Sequence, residues 1–322
     1  MKEQTNTNLH ISRADKQDEF YTSLEMIENE LKHYRDYFQD KVVFCNCDDP
    51  EKSNFWQYFQ RNFYMLGLRK LISTHFETDK QSYKMEITRQ DDKIGQLSFL
   101  PDYVQTPLEQ NGDFRSPECE SILEEADIVV TNPPFSLFRD YVAQLMQYKK
   151  DFLIIGRETA ITYKEVLPLV MENRLWLGYN DGHFWFQVPD DYEEKKTDFK
   201  IDDNGIKWRR MGNICWFTNI DIAKRHENMT LFRKYIPSEY PKYDHYDAIE
   251  VGRKADIPVD YDGVMGVPVT FMTQYNPEQF EILGDSRYHD GQDFSDDINV
   301  INGKTKFRRL LIRRRRGDDN EN

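Results

Sequence analysis

Apolar positions recur along this chain in two periods, and from about residue 40 to 170 the two alternate. Short β-branched or aromatic runs read as buried strands: Val42-Val43-Phe44, Leu68 to Phe76, Ala126 to Thr131, and Phe152-Leu153-Ile154-Ile155. Between them lie stretches with three- and four-residue spacing. Leu24, Ile27, Leu31, Tyr34 and Phe38 predict one helix from Leu24 to Phe38, capped by Thr22 or Ser23. Ser53 to Leu66 reads as a second helix. Leu137, Phe138, Tyr141, Val142, Leu145 and Met146 mark another, with Ser136 as its cap, and Tyr163 to Val170 one interrupted near Pro168. This alternation predicts an α/β domain with a largely parallel sheet. From about 171 the texture changes. Leu175 to Gly178, His183 to Val188, Ile214 to Thr218 and Gly263 to Phe271 read as strands, and 190–212 as a polar, mobile loop. Residues 80–112 are polar, with a hairpin expected around Tyr83 to Ile87 and Leu97 to Leu100.

The strand Ala126 to Thr131 runs into Asn132-Pro133-Pro134-Phe135. Two prolines end the strand and stiffen its exit, and in an open α/β sheet the loops at the carboxyl ends of strands hold ligands. The exocyclic amine of a base is a poor nucleophile, because its lone pair is delocalised into the ring. Two acceptors at its N–H bonds favour rehybridisation. The Asn132 side chain and the Pro133 carbonyl can supply them, Pro134 has no N–H to compete, and the Phe135 ring can stack on an extruded base. The plain alternative is a strand-to-helix turn with an apolar anchor.

Other stretches supply the parts of a cofactor site. Phe20-Tyr21-Thr22 stands before the first helix, where aromatic rings can wall a small ligand and the helix start can receive a carboxylate; a hydrophobic staple with an N-cap explains it equally. The loop Asn46-Cys47-Asp48-Asp49 follows the first strand without the glycines of a dinucleotide-binding turn. That counts against a pyrophosphate cofactor; S-adenosylmethionine, which has no phosphates, fits, and Asn46, Asp48 or Asp49 can meet its ammonium and amino-acid end. Here the alternative is a capped turn. Glu77 suits ribose hydroxyls, unless it is a solvated strand-end charge. Asp113 and Phe114, in Gly112-Asp113-Phe114, suit the amino group and ring of a cofactor adenine.

Composition narrows this further. The 322 residues include 21 Phe and 19 Tyr, and no apolar run is long enough to span a membrane. Four cysteines build no disulfide framework, no metal site is expected, and a cytoplasmic setting follows. A net charge of −14 argues against non-specific coating of nucleic acid but leaves room for a locally basic cleft. The basic run near the C-terminus offers Arg308, Arg309, Arg313 and Arg314 as phosphate contacts, or else a solvated charge run.

Together, Asp18 to Thr22, Cys45 to Pro50, Gly112 to Ser116, Thr131 to Arg139 and Gly263 to Pro268 resemble the motifs of EcoRI-type adenine-specific DNA methyltransferases, over roughly Asp18 to Gly284. The resemblance implies a Rossmann-like methyltransferase sheet with a C-terminal target-recognition region rich in β and loops. The expected layout is a mobile N-terminus at 1–15, an S-adenosylmethionine-binding catalytic domain at 16–170, and a target-recognition region at 171–322 with a basic tail. It implies N6-methylation of a flipped adenine in double-stranded DNA, by a monomer that can accompany a restriction endonuclease. It gives Asn132 and Pro133 to the amine, Phe135 to stacking, and Phe20, Tyr21, Asp48 and Asp113 to the cofactor. The alternatives are an amino methyltransferase acting on RNA bases or protein glutamine, and a catalytically silent DNA-binding protein.

Overall fold

The computed structural model describes residues 21–78, 80–90, 100–289, 292–293 and 298–315. The chain divides into two compact units, Met1–Arg157 with Asn180–Thr218 and Glu158–Tyr179 with Asn219–Asn322.

In the first unit the apolar runs become strands. They are β1 (Tyr21–Thr22), β2 (Val42–Cys45), β3 (Lys70–Thr74), β4 (Tyr83–Thr88), β5 (Val104–Pro107), β6 (Ile128–Thr131), β7 (Asp151–Arg157), β8 (Trp176–Gln187), β9 (Phe199–Ile201) and β10 (Lys207–Thr218). They form one sheet in the order β1-β8-β10-β7-β6-β2-β3-β4-β5, with β9 on β10. The centre, β3-β2-β6-β7, is parallel. Every residue of β2 and β6 is buried, as expected where a parallel sheet is covered on both faces.

The expectation of a largely parallel sheet holds only for that centre. β4 runs antiparallel to β3, β5 to β4, and β10 to β7, so the sheet is mixed. For β4 the physical reason is connection length. Only residues 75–82 join β3 to β4, too few for a helical crossover. The second strand of the expected hairpin is Val104–Pro107; of the stretch Leu97 to Leu100 only Leu100 is described, and 97–99 lie outside the described residues.

Helices cover the sheet. α1 (Leu24–Leu31) starts at Ser23, whose hydroxyl accepts from the Met26 N–H at 3.3 Å. It stops well before Phe38, and a separate 3-10 turn spans Arg35–Phe38. Glu30, fully buried, accepts from the Tyr34 hydroxyl at 2.8 Å and from the Asn180 N–H and side-chain amide, each at 2.8 Å. α2 (Asn54–Arg61) is capped by Ser53, and α3 (Pro117–Glu125) by Ser116. α4 (Phe138–Gln147) begins at Leu137 with no side-chain cap, because Phe135–Leu137 form a 3-10 turn ahead of it. Ser136 is therefore not its cap. Gly156 in β7 lets α4 settle on the sheet: a Cβ there would stand 2.5 Å from Phe138 and 2.9 Å from Phe217.

The second unit contains α5 (Leu167–Met171), which Pro168 opens from its first turn rather than interrupts. It also holds β11 (Ala248–Glu250), β12 (Val264–Val267), β13 (Phe280–Asp285), β14 (Tyr288–His289), β15 (Gln292–Asp293), β16 (Val300–Ile301), β17 (Lys304–Thr305) and β18 (Leu310–Arg314). A six-stranded sheet runs β11-β12-β18-β13-β14-β15, and β16 pairs with β17. The strand expected from Gly263 to Phe271 ends at Val267, and Pro268 opens a 3-10 turn. Gly266 lies so close to the Tyr243 hydroxyl that any side chain would overlap it. Among the described residues no helix is long and apolar enough to cross a membrane.

Candidate active site

The parallel strands β2, β3 and β6 end on one edge, and the loops leaving them carry most of the expected site residues. Thr131 closes β6, fully buried, and its hydroxyl both donates to Asp48 and accepts from the Cys47 N–H at 3.3 Å. Asp48 also accepts from the Ser53 hydroxyl at 3.1 Å and from the Asn132 N–H. One carboxylate therefore ties together the loop after β2, the start of α2 and the first residue of the tetrad. Burial pushes the Asp48 carboxyl up from 3.8 to about 7, against the lowering effect of those donors.

Asn46 has its side-chain carbonyl occupied. The buried Tyr141 hydroxyl donates to it, and the Cys47 thiol lies 3.7 Å away. This fixes the amide so that Nδ2 points elsewhere, and Nδ2 is buried with no hydrogen-bond partner among the described residues. The Thr22 hydroxyl, on the edge strand β1, is buried in the same condition. Its backbone carbonyl accepts from Asn54 Nδ2 at 2.7 Å, which ties β1 to the first turn of α2. His75 Nδ1, just past β3, is a third such atom, on a ring stacked 4.8 Å from Tyr83. Unsatisfied buried polar atoms are costly, so three near one sheet edge mark a place shaped for a polar ligand.

Asn132 and Pro133 follow Thr131 directly, Pro133 being buried and Asn132 half-buried. The Pro134 carbonyl accepts from the Leu137 N–H at 3.0 Å and so anchors the 3-10 turn. The Phe135 ring is half-buried, with the Arg157 guanidinium 5.6 Å from its centroid. The loop is thus held at both ends, by Asp48 before it and by α4 packed over Gly156 behind it.

The remaining expected residues fall into different situations. Tyr21 lies beside Thr22 in β1, paired with Gln187, while Phe20 lies outside the described residues. Glu77 is half-exposed, and its carboxylate accepts from the Thr78 N–H at 2.9 Å. Its N–H donates to the Asn111 carbonyl at 3.0 Å, which brings the loop after β3 against the loop before α3. Gly112, in the left-handed region at φ +77°, sits against the His75 carbonyl with no space for a Cβ. Asp113 is held by Arg115 through two bonds of 2.9 and 2.7 Å, and this pairing keeps its carboxyl below the usual range. Phe114 is buried edge-to-face with Tyr141, 5.0 Å between centroids. Asp49 is engaged by the Tyr83 hydroxyl at 2.9 Å, which straps β4 to the loop.

The four tail arginines lie in the second unit. Arg308 pairs with the fully buried Asp285 at 2.5 Å, Arg309 with Glu250 at 2.6 Å and Arg313 with Glu281 at 2.8 Å, while Arg314 donates to the Val259 carbonyl. Reading the sequence alone missed the roles of Thr131, Ser53, Tyr141 and His75. The first two hydroxyls fall beside readable features, a strand end and a cap position. His75 and Tyr141 gave no local signal.

The donor set fits S-adenosylmethionine. A carboxylate needs donors, which Thr22 Oγ1 and Asn46 Nδ2 can supply. A cationic ammonium needs an anion or acceptors, which Asp48 can supply once ionised. No phosphate cradle is needed. Among the described residues no cluster of His, Cys, Asp and Glu could hold a metal ion.

Comparison with known proteins agrees in direction. The family described as "Adenine-specific methyltransferase EcoRI" matches residues 8–315. The chain is 46% identical over 323 residues to "Type II methyltransferase M.EcoRI" of Escherichia coli, covering 97% of this chain and 98% of that one. It is 37% identical to "Type II methyltransferase M.MgeORF184P" of Mycoplasma genitalium, covering 95% and 98%. It is 36% identical to "Type II methyltransferase M.MpnI" of Mycoplasma pneumoniae, covering 94% and 97%. No solved structure matches the chain significantly.

Proposed function

We infer the function from one premise: the chain belongs to the EcoRI family of adenine-specific methyltransferases. It is a methyltransferase directed at adenine in DNA, of the type II restriction-modification kind. In finer terms, it moves a methyl group from S-adenosylmethionine to N6 of an adenine extruded from double-stranded DNA. The parallel centre of the sheet serves as a Rossmann-like cofactor platform, and the C-terminal part of the chain takes part in target recognition.

The cofactor, when bound, supplies an electrophilic methyl group on a sulfonium. Thr22 and Asn46 would hold its carboxylate and Asp48 its ammonium; Glu77 and the loop around Asp113 and Phe114 would lie along its nucleoside. Asn132 Oδ1 and the Pro133 carbonyl accept from the adenine amine and draw its lone pair out of the ring. Phe135 stacks on the base and replaces part of the stacking lost on extrusion, which costs a few kcal/mol. The amine becomes cationic as its new bond forms, so its proton leaves to water without a strong base. Asp48 positions Asn132 through the backbone N–H and does not itself touch the base.

The observation that carries this reading is the joint anchoring of the Asn132 loop and the loop after β2 by the Asp48 carboxylate. The experiment is transfer of labelled methyl to duplex DNA, RNA and protein side by side, with nucleosides separated afterwards. Label in N6-methyladenine from DNA is expected. Label confined to RNA or to glutamine would replace the substrate, and none anywhere would leave a silent DNA binder.

A further inference from the structure

We propose that the β-ribbon of residues 182–213 is the arm this chain lays against the duplex beside the target adenine, with Trp185, Lys200 and Trp208 as its contact face. The inference rests on the DNA substrate proposed above.

Register places the ribbon. Thr131 of β6 pairs with Ile154 of β7, so the tetrad leaves the sheet level with the last residues of β7. β7 ends at Arg157, which pairs with Ile214 of the antiparallel β10. Residues 207–213 of β10 therefore overshoot β7 on the edge where Asn132 to Phe135 emerge. β8 overshoots with them: Val188 N–H donates to the Lys207 carbonyl at 3.0 Å, and His183 sits against Gly212. β9 adds a third strand at the tip, with Lys200 opposite Trp208. At roughly 3.3 Å per residue the overshoot of β10 spans about 20 Å, and its outer part is tied back through β1, whose Thr22 carbonyl accepts from Asn54 in the first turn of α2. Its root is adjacent to the Phe135 ring, since Arg157 lies 5.6 Å from that ring's centroid.

The ribbon's surface is unusual for a connection. Lys200 Nζ lies 4.6 Å from the Trp185 ring and 5.9 Å from the Trp208 ring, and Trp208 Nε1 donates to Asp202 at 2.9 Å. Both indoles are only half-buried. The cluster holds two flat rings and one cation in a fixed array, outside any core. The outer part of the ribbon is a sheet of four strands, since β1 pairs with Phe186 and Gln187 and β9 with Lys207 to Arg209, so it meets the duplex by this face rather than entering the major groove whole. Charge decides how it would work there. Residues 182–213 carry six Lys and Arg against seven Asp and Glu, and Lys195 pairs with Glu193, Lys207 with Glu194 and Arg210 with Asp198, so the ribbon has no net positive charge. Such an arm releases few counterions and acts through base edges and stacking rather than as a phosphate clamp.

The test uses the full chain and two variants, Trp185→Ala and Lys200→Glu, neither in the methyl-transfer machinery. Measured are kcat/KM on a duplex carrying the target, S-adenosylmethionine affinity, thermal stability and the salt dependence of duplex binding. Both variants are expected to lose ~10- to 100-fold in kcat/KM on duplex while cofactor affinity stays within twofold. Trp185→Ala should weaken duplex binding equally at all salt concentrations, and Lys200→Glu should lower the salt slope by about one. If Trp185→Ala fails to fold, Lys200→Glu alone decides. Duplex kcat/KM within twofold of wild type for folded variants overturns the proposal. If wild type forms no N6-methyladenine at all, the function it rests on has failed instead.

Discussion

Two stretches invite comparison: the loops around Asp48 and Asn132 in the first unit, and the arginine-rich end of the second. Each follows or contains a buried apolar strand, and each has the residue types of a binding site. The structure uses them in opposite ways. In the first, hydroxyls and backbone donors converge on one carboxylate, and Thr22 Oγ1, Asn46 Nδ2 and His75 Nδ1 are buried with no hydrogen-bond partner among the described residues. In the second, Arg308, Arg309 and Arg313 meet Asp285, Glu250 and Glu281, acids that lie 23 to 59 positions earlier in the chain. A site shows itself by several such buried, unsatisfied polar groups gathered on neighbouring loops; in the second stretch Arg314 Nε is also buried without a partner among the described residues, beside arginines that are paired. A charge run whose members pair internally stabilises the fold first, and any phosphate contact must compete with those pairs.

The comparison can be broken most severely at Asn132. Asn132→Ala should lower single-turnover methyl transfer by about 10²–10³-fold, the usual cost of one preorganised hydrogen-bonding group at a reacting centre. Cofactor affinity should stay within a few-fold. Equal losses in both, by calorimetry and labelled transfer, would mean that the loop serves the cofactor instead.

Asp48 links both functions, and its titration has a definite sign. Its carboxyl is raised to about 7, so below that pH it is mostly protonated and neutral. A cationic ammonium favours the ionised form. Binding should therefore release a proton, and affinity should climb with pH through 7, falling by up to about tenfold per unit below it. In Asp48→Asn the dependence should vanish between pH 5.5 and 7.5. A flat wild-type profile would detach Asp48 from the cofactor.

On the other side of the comparison, Arg308→Ala strands the fully buried Asp285 carboxylate. A loss of about 3 kcal/mol, seen by chemical denaturation, is expected. Arg313→Ala removes a half-exposed pair and should cost less than about 1 kcal/mol. Should Arg308→Ala leave stability intact but weaken duplex binding, the arginines would belong with the site after all.

How much of this was legible beforehand follows the same division. The strands Val42–Cys45, Ile128–Thr131 and Asp151–Arg157 were readable because burial on both faces demands unbroken apolar runs. The tetrad was readable because its prolines fall where such a run stops. β8 read as two strands, Leu175 to Gly178 and His183 to Val188, because Asn180-Asp181-Gly182 interrupts the apolar pattern; the loop expected at 190–212 instead holds β9 and the first half of β10, whose Lys207, Arg209, Arg210 and Gly212 hid the strand. The tail arginines read as free cations, because their partners depend on strand order that no local pattern encodes. The Ser136 cap failed for a simpler reason: the prolines feed a 3-10 turn, and the helix waits until Phe138 can pack at Gly156.

The most direct measurement is a distance in a complex of this chain with a target duplex and a cofactor analogue lacking a transferable methyl group. An adenine out of the helix, with N6 about 3 Å from Asn132 Oδ1 and from the Pro133 carbonyl, is the expected result. An adenine still stacked in the duplex, or one whose amine faces another loop, would contradict it.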